Sequence, residues 1–275
     1  MFAEPTLDDV QRAALDALRR DGIALLDARR LVGDELWNEA LADVQPFIRE
    51  TEQAIRDLGD QPAGKDEVII RRFLSRLGTK EVDGQKPEKP RFPSQAPWVR
   101  LAAAQPLLDL VNSYRGELNR LYEVDQWYTV PYPRSVDRVD SQRWHRDPEH
   151  AHVVKVFAYF TDVDEEAGPF EYVRGSAEGG RYQQLWPWAD GHRYVAAEEL
   201  EAAVAPDDLA MAMGPQGTMV IADTGGFHRG GFARTKPRVL ATSTYLPADT
   251  KKRRFKLDYS GQQGPLPPQV EFALG

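Results

Sequence analysis

The chain has 275 residues, 41% hydrophobic and 28% charged, the balance of a globular protein with ample core rather than of a disordered one. Its formal net charge of −8 argues against general binding to nucleic acid or anionic membrane, both of which favour basic surfaces, and leaves room only for a local basic pocket. It has no cysteine, which removes disulfides, thiolate metal sites and thiol nucleophiles. The opening Met1-Phe2-Ala3-Glu4-Pro5 lacks the basic and apolar regions of a signal peptide. No apolar run approaches the roughly 20 residues of a membrane span. The expectation is a cytoplasmic protein with no membrane or nucleic-acid partner and an open oligomeric state.

Thr6-Leu7-Asp8-Asp9 predicts a helix start with Thr6 as N-cap and Asp9 near the reciprocal position. Leu7, Val10, Ala14, Leu15 and Leu18 recur at helical spacing, and Gly22 supplies the stop. Ile23-Ala24-Leu25-Leu26 reads as a strand. A long helix is expected over 33–58, with Trp37, Leu41, Val44, Ile48 and Ile55 near one face and a kink or break at Pro46. Residues 66–77 read as a helix carrying Arg71, Arg72 and Arg76. Such a cluster is ordinarily a solvated face; the alternative is one arginine entering a site to anchor an anionic substrate. Residues 78–97, rich in Pro, Lys, Glu and Gly, read as a long loop of the kind that forms lids. Helical spacing returns over 98–122 through Leu101, Leu108, Val111 and Leu118.

Beyond Val124 the pattern becomes that of short strands, over 126–130, 139–147, 153–161, 170–173, 218–222 and 239–245. Turn-forming breakers separate them, such as Glu166-Ala167-Gly168-Pro169 and Gly214-Pro215-Gln216-Gly217. Helices followed by strands predict an α+β fold whose strands close into a barrel or double sheet. Residues 177–213, with Trp186, Trp188 and a helical piece over 196–204, read as an insertion placed to cover the barrel mouth. The tail from 248 is polar and is expected on the surface. Trp127, Trp186, Trp188, Phe73 and Arg76 are candidate pocket residues, each with core or surface packing as the ordinary alternative. There is no internal repeat.

Two stretches carry chemistry. In Trp144-His145-Arg146-Asp147, an extended strand would point His145 and Asp147 to one face. In Gly225-Gly226-Phe227-His228-Arg229-Gly230-Gly231 a second imidazole sits among glycines that permit close backbone approach, and Arg238 follows ten residues later. Two histidines and a carboxylate with open positions left over form the facial ligand set of non-haem Fe(II) oxygenases. The chain has five histidines, His145, His150, His152, His192 and His228, and an isolated histidine is more often a structural side chain. Spacing by itself leaves both readings open.

Further motifs extend the pattern: Gly168-Pro169-Phe170-Glu171-Tyr172-Val173-Arg174-Gly175-Ser176, then Gly217-Thr218-Met219-Val220-Ile221-Ala222-Asp223, then Pro237-Arg238. Together with the histidine stretches, and in this order over 142–246, they resemble the phytanoyl-CoA dioxygenase family of Fe(II)/2-oxoglutarate oxygenases. Arg20-Asp21-Gly22 before the first strand is a looser likeness. The resemblance implies a double-stranded β-helix of the jelly-roll, cupin-like type with packed N-terminal helices. The chain would then be one oxygenase domain over 1–275: a helical part and lid loop to 122, a jelly-roll core over 123–247, and a tail. It implies Fe(II) held by His145, Asp147 and His228, with dioxygen and the cosubstrate 2-oxoglutarate, whose far carboxylate pairs with Arg238. It further implies hydroxylation of an unactivated C–H bond of a small-molecule substrate, with release of succinate and CO2; desaturation, epoxidation and ring closure stay open.

A planar, permanently charged guanidinium suits a carboxylate. Tyr128, Gln142 and Lys155 are candidates for a second cosubstrate contact, and Ser243 and Thr244 for a hydroxyl near Arg238. One departure is Arg174-Gly175-Ser176-Ala177, where the family often has Pro-Gly-Ser-His. Related enzymes that halogenate carry a small residue where Asp147 stands.

Other readings compete. His145-Arg146-Asp147 spells the kinase catalytic triplet, but the position needing Asn is His152. Asp223-Thr224-Gly225 has no second copy to make an aspartic-protease pair. A zinc hydrolase on the same three ligands remains an alternative, as does a non-catalytic jelly-roll binding protein.

Overall fold

In the computed structural model, residues 4–58, 69–72, 91–131, 138, 140–185, 194–249 and 253–275 are described. The first helix, α1 (Asp9–Asp21), is capped by Asp8 rather than Thr6. Asp8 accepts from the Gln11 amide, and Gln11 Oε1 accepts from the Asp8 amide, each at 2.8 Å. This reciprocal box needs an amide or acid side chain three residues past the cap, which Asp8 has in Gln11. Gly22 ends the helix at φ 79° and sends its N–H to the Leu18 carbonyl at 2.8 Å. The chain is thereby turned into β1 (Ile23–Asp27).

A short α2 (Ala28–Val32) precedes α3 (Asp34–Leu58), which continues through Pro46 instead of breaking there. Proline inside a helix costs about 3 kcal/mol. Trp37, Ala40, Val44 and Phe47 are all buried in the main core, and burial of large apolar side chains at about 1.5–3 kcal/mol each outweighs that cost. Of the helix expected over 66–77, the described part is a strand, β2 (Ile69–Arg72), paired antiparallel with residues 126–129. The remainder, with Phe73, Arg76 and 78–90 of the expected loop, lies outside the described residues. Past it come β3 (Arg91–Pro93), α4 (Pro97–Ala102) and α5 (Gln105–Arg115). The single helix expected over 98–122 divides because Pro106 is tolerated only in a first turn. It then stops at Gly116, φ 69°, ahead of β4 (Asn119–Thr129).

The remaining elements are β5 (Trp144–His145), β6 (Val154–Tyr159), β7 (Phe170–Val173), β8 (Tyr194–Val195), α6 (Ala197–Ala203), β9 (Leu209–Ala212), β10 (Thr218–Asp223), β11 (His228–Gly230), β12 (Arg238–Pro247), β13 (Lys256–Asp258) and α7 (Pro268–Leu274). One antiparallel sheet runs β1-β10-β6-β12-β4-β2, and a second runs β8-β5-β11-β7-β9. This is an α+β fold with a jelly-roll core. The strand expected over 139–147 shrinks to two residues, preceded by a 3₁₀ turn at Asp140–Gln142. The stretch 177–213 is less an insertion than a supplier of both edges of the second sheet. Trp186, Trp188 and His192 lie outside the described residues.

The six-stranded sheet has two apolar faces, and the period-two alternation of a strand sorts its side chains between them. Val124, Tyr128, Val154, Val156, Ala158, Val239 and Ala241 pack against the helices. Phe157, Tyr159, Val220, Ala222 and Leu240 instead meet Phe170 and Tyr172 of the second sheet. The tail, expected on the surface, belongs to the helical core: β13 pairs with β3, and Phe255, Leu257, Val270, Ala273 and Leu274 are buried there.

Candidate metal centre

His145 ends β5 and His228 begins β11, and the two are directly paired across these neighbouring antiparallel strands. Paired residues face the same side, so the imidazoles converge, with ring centroids 4.2 Å apart. Asp147 lies past the end of β5, so strand alternation is not what aims it. Its N–H donates to the Thr224 carbonyl at 2.9 Å, which ties the segment after β5 to the turn before His228. One ligand atom from each of His145, Asp147 and His228 lies within 4.8 Å of the others, and all three residues are buried.

Both imidazoles are oriented by main-chain carbonyls. His145 Nδ1 lies 2.7 Å from the Arg143 oxygen, and His228 Nδ1 lies 3.0 Å from the Gly226 oxygen. A carbonyl only accepts, so Nδ1 carries the proton and each Nε2 turns its lone pair into the shared space. Burial, reinforced by His145, pushes His228 down to about 3, partly offset by Asp147, so its ring is neutral near neutral pH. Burial alone would raise the Asp147 carboxyl, but the Lys155 ammonium and the two imidazoles outweigh it and hold the group well below the usual carboxylate range. Lys155 sits 2.8 Å from Asp147 Oδ2. Burial would lower that ammonium, yet Asp147 and Glu149 outweigh it, so the pair is charged on both sides. Both carboxylate oxygens face the imidazoles, Oδ1 at 3.9 Å from His145 Nε2 and Oδ2 at 3.6 Å from His228 Nε2.

The triad opens into a cavity of about 300 Å³ between the sheets. Arg238 lines it from the start of β12 and is 3% exposed; its Nε and Nη1 are buried with no hydrogen-bond partner among the described residues. Burial lowers its pKa and Tyr159 offsets part of that; an arginine stays charged through such a shift. Tyr159 hydrogen-bonds the guanidinium, but leaving Nε and Nη1 unpaired is costly, and a carboxylate entering this cavity would complete them. The buried N/O donor set and the partly unpaired guanidinium thus fit a metal with a carboxylate-bearing companion.

The other candidates divide. Lys155 and Trp127 line the cavity. Tyr128, next to Trp127 on β4, has the opposite parity and is buried among the helices, so it does not face the site. Gln142 is buried in the 3₁₀ turn, but its neighbour Ser141 is the lining residue. Thr244 lines the cavity and Ser243 does not. His150 and His152 lie apart from the triad: the His152 amide donates to His150 Nδ1 at 2.9 Å, and His152 Nε2 pairs with Glu178 at 2.5 Å. Sequence reasoning missed Glu123, Phe157, Leu240 and Thr242. Their signal was parity: they share the inward face with Lys155 and Arg238 on registered strands. It missed Glu149 because no strand period governs the segment after Asp147.

The family model described as phytanoyl-CoA dioxygenase (PhyH) matches residues 18–236. Among curated protein sequences none matches the chain significantly. Several solved structures share the fold. The epimerase SnoN in complex with Fe3+, alpha ketoglutarate and nogalamycin RO is 16% identical with TM-score 0.56, over 88% of this chain and 86% of its own. EctD from S. alaskensis with bound Fe is 18% identical with TM-score 0.53, over 92% and 83%. HygX from Streptomyces hygroscopicus, with nickel, 2-oxoglutarate and hygromycin B bound, is 16% identical with TM-score 0.50, over 86% and 87%.

Proposed function

The chain belongs to the phytanoyl-CoA dioxygenase family, and from that premise we propose that it is an Fe(II)- and 2-oxoglutarate-dependent dioxygenase that hydroxylates a C–H bond of a small-molecule substrate. The observation that carries this reading is Arg238, a buried guanidinium whose Nε and Nη1 have no hydrogen-bond partner among the described residues, lining the same cavity as the triad. A zinc hydrolase on these ligands would have no use for it, and a plain binding module would have no use for the triad. His145, Asp147 and His228 would hold the iron, with the Lys155 ammonium keeping the Asp147 carboxylate charged. Arg238 would take the far carboxylate of 2-oxoglutarate in a charge-assisted, two-pronged contact. Once bound, the iron and the oxo acid supply the oxidising chemistry, which consumes dioxygen and releases succinate and CO2.

The chain's own part is positioning and shielding. Trp127, Phe157, Phe170 and Leu240 form an apolar stretch of cavity wall that keeps water from the cosubstrate and strengthens the Arg238 contact. Glu149 lines the cavity two residues beyond Asp147, and its Oε2 is buried without a hydrogen-bond partner among the described residues. It is an acceptor left for a donor group on the substrate.

The test is an anaerobic titration of the Fe(II)-loaded protein with 2-oxoglutarate, followed by visible charge-transfer absorption and by succinate release on admitting air. A saturable absorption band and Fe(II)-dependent succinate are expected; their absence sinks the proposal. Arg238→Gln should keep iron but bind 2-oxoglutarate at least about thirtyfold more weakly, the low end for truncating one side of a buried charge pair. Unchanged cosubstrate affinity would remove Arg238 from the role.

A further inference from the structure

Between β10 and β11 the chain makes a tight turn, Asp223-Thr224-Gly225-Gly226, and two of the three triad residues hang from it. The Thr224 carbonyl accepts the Asp147 N–H at 2.9 Å, and the Gly226 carbonyl receives His228 Nδ1 at 3.0 Å. We infer that Asp223 is a positioning residue for the metal centre: its buried carboxylate locks this turn and so sets where Asp147 and His228 point. The inference rests on the metal-binding reading of the triad.

The carboxylate, 1% exposed, faces two ways. Oδ1 accepts the Gly225 amide inside the turn at 3.0 Å. Oδ2 accepts from Tyr114 Oη at 2.9 Å and from Arg115 Nη1 at 3.2 Å, both on α5 in the helical layer. The main chain of Asp223 is held as well: its N–H donates to the Gly22 carbonyl at 2.9 Å, and its carbonyl accepts from Tyr172 Oη at 2.8 Å and from the Gly226 amide at 3.0 Å. Any side chain at Gly226 would collide with the Tyr172 hydroxyl, and one at Gly225 with the Ala151 carbonyl, so the turn is packed on every side.

A turn of this kind needs no charge to form. A buried ion pair is seldom a net gain in stability over apolar packing, because desolvation cancels the attraction. What the Arg115–Asp223–Gly225 chain provides is rigidity. Ligand-orienting contacts in this outer layer are worth about 10–100-fold in metal affinity when removed.

The test uses the full-length protein loaded with Co(II), whose d–d absorption reports ligand geometry and whose titration gives affinity. Asp223→Ala should lower Co(II) affinity about 10–100-fold and alter the d–d bands. Asp223→Asn, which can still accept from Gly225, should recover most of that loss. Tyr172→Phe deletes one hydroxyl from the same turn, should fold, and should shift affinity in the same direction by less. A purely structural role would lower the melting temperature and leave the Co(II) bands and affinity as in wild type. That result in a folded Asp223→Ala overturns the inference; if that variant does not fold, wild-type bands and affinity in Tyr172→Phe do so. Wild-type protein that takes up no Co(II) would instead overturn the metal reading, and the inference with it.

Discussion

His228 is held neutral where an unfolded chain would let it take a proton. Its folded pKa is pushed down to about 3 by burial and by His145, against about 6.5 for an unperturbed histidine. Between those values the unfolded chain binds a proton that the folded chain refuses, so stability rises with pH across this window and is lost as pH falls through it. Asp147, also depressed, acts in the same direction over a lower window, below about 3.9. In the absence of metal, taking the protein from pH 7 to 5 should therefore cost about 2 kcal/mol through His228. Urea midpoints at the two pH values measure this, and His228→Gln should flatten the difference. An equal pH dependence in that variant would show that His228 is not the group responsible. A neutral imidazole with its Nε2 lone pair free of a proton is also the form a metal requires.

At the scale of elements, alternation in three registered strands builds the site. Along β12, Val239 and Ala241 face the helices while Arg238, Leu240, Thr242 and Thr244 face the cavity. Register carries the same parity to Trp127 and Glu123 on β4 and to Phe157 and Lys155 on β6. A one-residue slip of β12 would exchange Arg238 for a buried valine in the cavity. The same parity turns Tyr128 toward the helices and away from the cavity. The helices depend on local chemistry instead. Asp8→Ala should remove the side-chain cap, leave the residue-8 amide still donating to Gln11, and cost about 1 kcal/mol, read from urea or thermal unfolding. Because α1 contributes no lining residue to the cavity, metal affinity should be unaffected; a loss of less than a few tenths of a kcal/mol would show that the box contributes nothing.

At the scale of the whole molecule, both ends of the chain close the fold around the sheet. β1 adds to β10 at one edge, and α7 plants Val270, Ala273 and Leu274 in the core shared with α5 and the back of the six-stranded sheet. Asn112 of α5 also donates to Gln269 at 2.9 Å. Removing residues 268–275 should expose this face. Burial of a valine and a leucine is worth about 3–6 kcal/mol together, an appreciable part of the 5–15 kcal/mol that stabilises an ordinary domain. The truncated chain should melt at a markedly lower temperature by circular dichroism; an unchanged melt would mean that the helix only rests on the surface. No helix among the described residues is long and apolar enough to cross a membrane.

Some of this was already written in the order of the residues. The cap at Gly22, the long helix to Leu58, and the strands near 153–161, 170–173, 218–222 and 239–245 follow from local spacing and turn chemistry, while His145, Asp147 and a glycine-framed His228 were marked out by the resemblance of their motifs to a family. Local rules act within a few residues, so they carry that far. Which face of β4 looks inward, how a polar tail comes to fill a core, and why Asp147 converges on two histidines without strand geometry were decided by contacts between distant segments. The amide of Asp147 meets the carbonyl of Thr224 only after both sheets have closed, and no pattern within either segment encodes a distance between them.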